Sequence, residues 1–262
     1  MTKTILITGS TDGIGLLTAQ KLAAAGHNVL LHGRSAAKLE AAAGTLGGDV
    51  ETYAADLSDL SAVRRLAGDV RARHDTLNVL INNAGVLKAP RTVLENGQDI
   101  RFVVNTLAPY LLTDLLLPII PSDGRVVNLS SAAQAPVNVD ALAGGVPLAD
   151  MDAYAQSKLA ITIWTREWAK SLSDGPVMVA VNPGSLLASK MVKEGFGVAG
   201  SDLSIGADIL IDAALGARFS DASGAYFDND SGAFANPHPA ALDQRHAADV
   251  MSAIKTLIGQ TG

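Results

Sequence analysis

Cysteine is absent from all 262 residues. That removes disulfides, thiolate nucleophiles and cysteine-ligated metals together. The five histidines, His27, His32, His74, His238 and His246, show no H-E-x-x-H or similar ligand spacing, so no metal site is expected. Charge is sparse as well. Only 18% of residues are charged, the formal net charge is -6, and like charges form no block. This excludes a nucleic-acid or anionic-membrane surface as the main partner. An apolar strand-like run begins at residue 5, which leaves no room for a signal peptide. The most apolar later stretch, Leu111 to Ile120, is interrupted by Asp114 and Pro118. It is also shorter than the about 20 residues that span a bilayer. Repeats, low-complexity tracts and linkers are missing too. With 48% hydrophobic residues, the chain is expected to be one soluble cytoplasmic domain over residues 1–262, without a membrane anchor.

Short apolar runs alternate with helical patterns. Thr4 to Thr8 reads as a buried parallel strand. It leads into Gly9-Ser10-Thr11-Asp12-Gly13-Ile14-Gly15 and then a helix ending at Gly26. A glycine-rich turn between strand and helix presents backbone N–H groups and the positive helix end to a phosphate. Gly9 permits the tight turn, Gly13 the approach of a pyrophosphate, and Gly15 close packing of helix on strand. The spacing is G-x-x-x-G-x-G, and the plainer alternative is an ordinary strand-to-helix turn.

A second strand, Asn28 to Leu31, runs into His32-Gly33-Arg34-Ser35. An acidic residue placed here would hold the ribose 2′-hydroxyl of NAD, and none is present. Arg34, with Ser35, suits a 2′-phosphate instead, which favours NADP(H) over NAD(H). The alternative is a solvated loop arginine. Ala36 to Leu46 reads as a helix and Val50 to Ala55 as a third strand, closing on Asp56-Leu57. Asp56 is placed to meet an adenine amino group, or else Asp56 or Ser58 caps the helix Leu60 to Arg73. A fourth strand, Leu77 to Ile81, ends at Asn82-Asn83-Ala84-Gly85, which either lines a cofactor ribose or shapes a turn.

Gln98 to Ile120 reads as a long apolar helix carrying Asn105 and kinked at Pro109. The strand Arg125 to Leu129 ends at Ser130-Ser131, and Val177 to Val181 ends at Asn182-Pro183-Gly184-Ser185. A helix from Ser204 to Leu215, a short strand from Gly224 to Phe227 and a helix from Ala240 to Ile258 follow. Residues 186–216, with Gly195, Gly197 and Gly200 in their first half, read as a lid over a substrate pocket. The whole pattern predicts an α/β fold with a doubly wound parallel sheet.

Tyr154 and Lys158 share one face of the helix Met151 to Leu172. A phenol ionises near ~10, and an adjacent ammonium lowers that value toward the working range. The pair is therefore a candidate proton donor and acceptor.

Taken in order, the glycine turn, Asp56, Asn82 to Gly85, Asn105, Ser131, Tyr154-x-x-x-Lys158 and Asn182-Pro183-Gly184 resemble the short-chain dehydrogenase/reductase family. The resemblance covers essentially the whole chain. It implies a seven-stranded Rossmann-type sheet and a nicotinamide cofactor. That cofactor would be held by Gly9 through Gly15, Arg34, Ser35, Asp56, Leu57, Asn83, Ala84, Gly85, Tyr154, Lys158, Pro183 and Gly184. It further implies Tyr154 as acid/base, Lys158 as its activator and ribose ligand, Ser131 as carbonyl-polarising hydroxyl, and Asn105 as holder of a relay water. The substrate would be a small alcohol or carbonyl compound, and the chain a homodimer or homotetramer paired through the helices carrying Asn105 and Tyr154.

Ser131 lies 23 residues before Tyr154. That spacing, with Ser223-Gly224-Ala225-Tyr226-Phe227, resembles the retinol-dehydrogenase-like branch. Where a threonine often follows the Pro-Gly, this chain has Ala188, with Ser185 and Ser189 as substitutes. Ser130 is a second candidate for the serine role.

Overall fold

The computed structural model describes residues 1–172, 174–185, 187 and 200–259. Its centre is a sheet whose apolar, β-branched strands are buried on both faces. The strands are β1 (Thr4–Ile7), β2 (Asn28–Gly33), β3 (Thr52–Ala54), β4 (Val79–Asn82), β5 (Arg125–Leu129), β6 (Val177–Asn182), β7 (Tyr226–Asp228) and β8 (Ala233–Ala235). Their spatial order is β3-β2-β1-β4-β5-β6-β7-β8. All neighbours run parallel except β7 and β8, which form an antiparallel hairpin.

The sheet is thus eight-stranded, one more than expected. β8 is a three-residue edge strand, exposed along its length, and it exists only through pairing with β7. The chain winds outward in both directions from β1, so the loops after β1 and β4 part at the carboxyl edge and leave a crevice there.

Helices cover both faces. On one lie α1 (Gly13–Ala24), α2 (Ala36–Leu46) and, further along the chain, a helix at Leu203–Leu215. The other carries α3 (Leu60–Arg73), α4 (Ile100–Phe102), α5 (Ala108–Leu116), α6 (Val139–Leu142) and α7 (Asp150–Ser171). The helix Leu203–Leu215 is α8, and α9 (Gln244–Gly259) packs on α6 and α7.

Between α4 and α5 the chain makes a π-helical turn, Val103–Leu107. The expected break at Pro109 is therefore placed one turn earlier. Pro109 has no N–H to give the Asn105 carbonyl four residues before it, and the wider turn accommodates that loss. The helical run Ile100–Ile119 is long and apolar enough to cross a membrane, with mean hydropathy 1.5. Nevertheless 72% of its apolar window is buried inside the fold, where α5 packs against α3.

α3 is capped by Asp59, whose carboxylate accepts from the Ser61 N–H at 2.8 Å. Neither Asp56 nor Ser58, the expected caps, does so. Asp56 instead folds its own turn, accepting from the Ser58 N–H and hydroxyl at 2.9 and 2.8 Å. Of the expected lid, residues 186 and 188–199 lie outside the described residues; Leu187 is buried and 203–215 is α8, a regular helix.

Candidate active site

A cleft of about 670 Å³ opens at the carboxyl edge of the sheet. That volume lies within the ~300–1,000 Å³ typical of small-molecule sites. The first wall is the glycine turn. Gly9 and Gly13 adopt φ of +67° and +54°, a region that side chains rarely enter. A Cβ on Gly9 would lie 2.9 Å from Ala84 Cα, and one on Gly15 would lie 2.4 Å from Asn83 Nδ2. These glycines are fixed by close packing of the β1 and β4 loops. The packing is reinforced by Asn83, whose Nδ2 donates to the carbonyls of Thr8 and Gly9 at 2.9 and 3.1 Å.

Asp12 caps α1 by accepting from the Gly13 N–H at 2.7 Å. The first turn of a helix still leaves N–H groups without intrahelical partners, and the residues of this turn border the cleft. Thr11, Asp12, Gly13, Ile14 and Gly15 line this wall.

Ser10 does not line the cleft. Its hydroxyl donates to the His32 carbonyl and accepts the His32 N–H, at 3.3 and 2.9 Å, and its own N–H is bonded to the same carbonyl. Ser35 is likewise engaged elsewhere, as the cap of α2 accepting from the Lys38 N–H. The expectation of cofactor contact is corrected on that ground for Ser10; the Ser35 hydroxyl, which only accepts, keeps its own O–H to give. Arg34 does line the cleft, and so does Lys38, which the sequence reading missed. The signal was present: the two cations are four residues apart at a helix start. Asp56 and Leu57 close this end, and Asn83, Ala84 and Gly85 form the facing wall.

At the other end Ser131, Tyr154 and Lys158 come together in the same cleft with Pro183 and Gly184. Ser131 follows β5, and its backbone carbonyl accepts from the Tyr226 hydroxyl at 3.1 Å and from Gln134 Nε2 at 2.8 Å. The nearby Ser131 hydroxyl favours the phenolate, yet burial of the Tyr154 phenol outweighs it and pushes the Tyr154 pKa up. The sequence led to the opposite expectation. Lys158 Nζ instead donates to the Leu129 carbonyl at 2.7 Å, and it sits 5.7 Å from the centre of the Tyr154 ring. Burial lowers its own pKa to about 8.

Ser130 also lines the cleft but is only 3% exposed, and its hydroxyl is taken inside the fold, 2.7 Å from Thr162 Oγ1 and donating to the Lys158 carbonyl at 3.2 Å. It braces α7 against β5, which leaves Ser131 as the hydroxyl beside Tyr154.

Asn105 is buried behind the cleft wall and does not line it. Its Nδ2 donates to the Val86 carbonyl and to Ser157 Oγ, each at 2.9 Å, and its Oδ1 accepts from the Val86 N–H at 2.8 Å. The side chain thus makes three of its four possible hydrogen bonds inside the fold rather than toward the cleft. Asn105 instead locks the β4 loop to α7. Ser157 in turn donates to the Tyr154 carbonyl at 2.7 Å.

The loop after β6 is held from the far hairpin. Asp230 accepts from the Ser185 N–H at 2.7 Å and from Asn182 Nδ2 at 2.9 Å, and also takes the Ser185 hydroxyl. With both donors of Ser185 turned to Asp230, this serine is a poor stand-in for the missing threonine. Ala188 and Ser189 lie outside the described residues. The remaining cleft surface is mostly apolar, from Val86, Leu87, Val104, Ala132, Ala133 and Leu187.

A dinucleotide fits this surface: glycine-lined close approaches and helix N–H groups lie at one point, and two cations at the adenosine end. No cluster of His, Cys, Asp and Glu suited to a metal occurs among the described residues.

Comparison with known proteins gives a consistent result. A sequence profile for short chain dehydrogenases matches residues 3–196. Human retinol dehydrogenase 13 is 36% identical over 200 residues, covering 70% of this chain and 58% of that protein. The chain thus spans about three fifths of the length of this curated relative. An uncharacterized protein from Mycobacterium paratuberculosis superposes with a TM-score of 0.81 at 31% identity, over 98% of this chain and 93% of that one. A short chain dehydrogenase from Escherichia coli CFT073, solved with NADPH, superposes with a TM-score of 0.70 at 26% identity, over 87% and 96%.

Proposed function

The chain belongs to the short chain dehydrogenase family, and from that premise we propose that it is an oxidoreductase moving a hydride between NADP(H) and a neutral or apolar alcohol or carbonyl compound. One observation carries the reading: Ser131, Tyr154 and Lys158 share a single cleft with the glycine turn and with Arg34. A bound nicotinamide supplies or accepts the hydride; the residues around it orient, polarise and handle the proton.

In the reducing direction the Ser131 hydroxyl donates to the oxygen that gains charge, and Tyr154 delivers a proton to it. Burial keeps the Tyr154 phenol protonated at neutral pH, which is the form that this direction needs. In the oxidising direction Tyr154 must lose that proton. The Lys158 ammonium nearby and the Ser131 hydroxyl both favour the phenolate.

Preference for NADP(H) over NAD(H) rests on Arg34 and Lys38. Neither forms an ion pair among the described residues, and both suit a 2′-phosphate. The structure solved with NADPH belongs to a relative of this chain. The apolar walls support a substrate without charge near the reacting carbon.

A soluble, cytoplasmic setting without nucleic-acid partners is part of the same proposal. So is self-association into a dimer or tetramer, but pairing through α7 is disfavoured. Residues 156–165 of that helix are buried within the chain, and Trp164 is enclosed by Tyr110 and Trp168.

Titration with NADPH and NADH, followed by a panel of neutral alcohols and carbonyl compounds, tests the proposal. Saturable NADPH binding with turnover of a panel member supports it. Failure to bind either cofactor overturns it.

A further inference from the structure

One buried histidine is not used by the chemistry above. His32 lies in β2, 2% exposed, with its ring on the cleft wall. Its Nδ1 accepts the Gly9 N–H at 3.2 Å. Across the ring, Nε2 lies 3.2 Å from the Ala55 carbonyl. Gly9 is the first residue of the phosphate-facing turn, and Ala55 is followed directly by Asp56 and Leu57 on the cleft. One imidazole therefore joins the two loops that flank the adenosine half of the cleft. The backbone of the same residue holds Ser10 on both sides.

The chemistry of the two contacts fixes the state of the ring. A backbone N–H only donates and a carbonyl only accepts. Nδ1 must then carry a lone pair and Nε2 the proton. An imidazolium would set an N–H against the Gly9 N–H, and the opposite tautomer would lose both bonds. Burial acts in the same sense, lowering the His32 pKa to about 4.

We propose that His32 is a positioning residue for cofactor binding, holding the Gly9 turn and the end of β3 at a fixed separation through its neutral Nε2–H tautomer. The inference rests on the dinucleotide reading of the cleft. It requires no contact between His32 and the reacting atoms. Loss of the ring bonds therefore weakens cofactor binding and leaves the rate at saturation alone.

The test compares wild type with His32→Leu, which fills the space without either bond, and His32→Asn, whose Oδ1 overlays Nδ1 and keeps the bond from Gly9. The expected result is an NADPH Kd raised about tenfold by the leucine and less by the asparagine. At saturating NADPH, kcat on a carbonyl that wild type reduces should stay within about twofold for both variants. An NADPH Kd for His32→Leu equal to that of wild type overturns the inference, as does a fall in kcat without a change in Kd. Wild type that binds no NADPH overturns the dinucleotide reading itself, and this inference with it. Long-range ¹⁵N–¹H correlation of wild type supplies a readout independent of whether the variants fold. A protonated Nε2 with a bare Nδ1 at neutral pH is expected, and an imidazolium or an Nδ1–H tautomer contradicts the inference.

Discussion

Lys158 Nζ lies 5.7 Å from the centre of the Tyr154 ring and donates its proton to the Leu129 carbonyl rather than to the phenol. The two residues act on one another through space, not through a shared proton. In such a site burial dominates: it raises the phenol pKa and lowers the amine pKa. The lysine is consequently a tunable cation whose charge is costly to keep.

That cost is measurable as stability against pH. Lys158 falls to about 8 in the fold from an ordinary 10.5. Between these values the unfolded chain binds more protons, so stability rises with pH across the window. Below about 8 both states are charged and the full penalty applies, on the order of 3 kcal/mol. Lys158→Met removes the titration. Urea unfolding at several pH values should show the variant gaining on wild type near neutrality, with the gap closing toward pH 10. A gap independent of pH contradicts the assignment.

Ser130 and Ser131 are adjacent, and they should respond differently to removal. Ser131→Ala deletes the hydroxyl beside Tyr154 and should lower kcat by about a hundredfold or more, with little change in Tm. Ser130→Ala breaks the bonds to Thr162 and the Lys158 carbonyl. It should cost about 1–3 kcal/mol of stability and leave most of the activity. Steady-state kinetics beside thermal melts separate the two; the reverse pattern would assign the chemistry to Ser130.

Arg34→Asp should shift preference from NADP toward NAD, and adding Lys38→Ala should shift it further. The measurement is the ratio of kcat/KM for NADPH and NADH. A ratio unchanged in the double variant removes the 2′-phosphate reading.

Asp230 is remote from the reacting groups in sequence but ties down the loop after β6. Asp230→Ala should raise KM for NADPH by about tenfold, with a smaller effect on kcat, because the loop loses its register rather than a reacting group. Asp230→Asn, which keeps one acceptor oxygen, should recover part of the loss. Identical kinetics in the alanine variant and wild type would show that the hairpin does not set the loop.

Much of the frame was readable from residue pattern. Ala36–Leu46, Leu60–Arg73 and Arg125–Leu129 occupy the spans that their periodicity indicates, since apolar spacing and burial are the same fact seen twice. β8 was not readable. Ala233-Phe234-Ala235 is too short for a period, and tertiary pairing alone makes it a strand. The direction of small polar side chains was equally hidden. Ser10, Ser35 and Asn105 are the right kinds of residue in the right loops or helices, yet each is engaged by neighbouring backbone or side-chain groups. Lys38 escaped notice because it lies on a helix rather than in the loop that carries Arg34. The upward shift of Tyr154 depends on burial, which a four-residue spacing to lysine does not reveal.

The most direct test of the central claim is oxidation of NADPH by wild type and Tyr154→Phe against the same carbonyl panel, with NADPH affinity measured on both. The account predicts turnover by wild type, none by the variant, and affinities within a few-fold of each other. Turnover by Tyr154→Phe at the wild-type rate would contradict it.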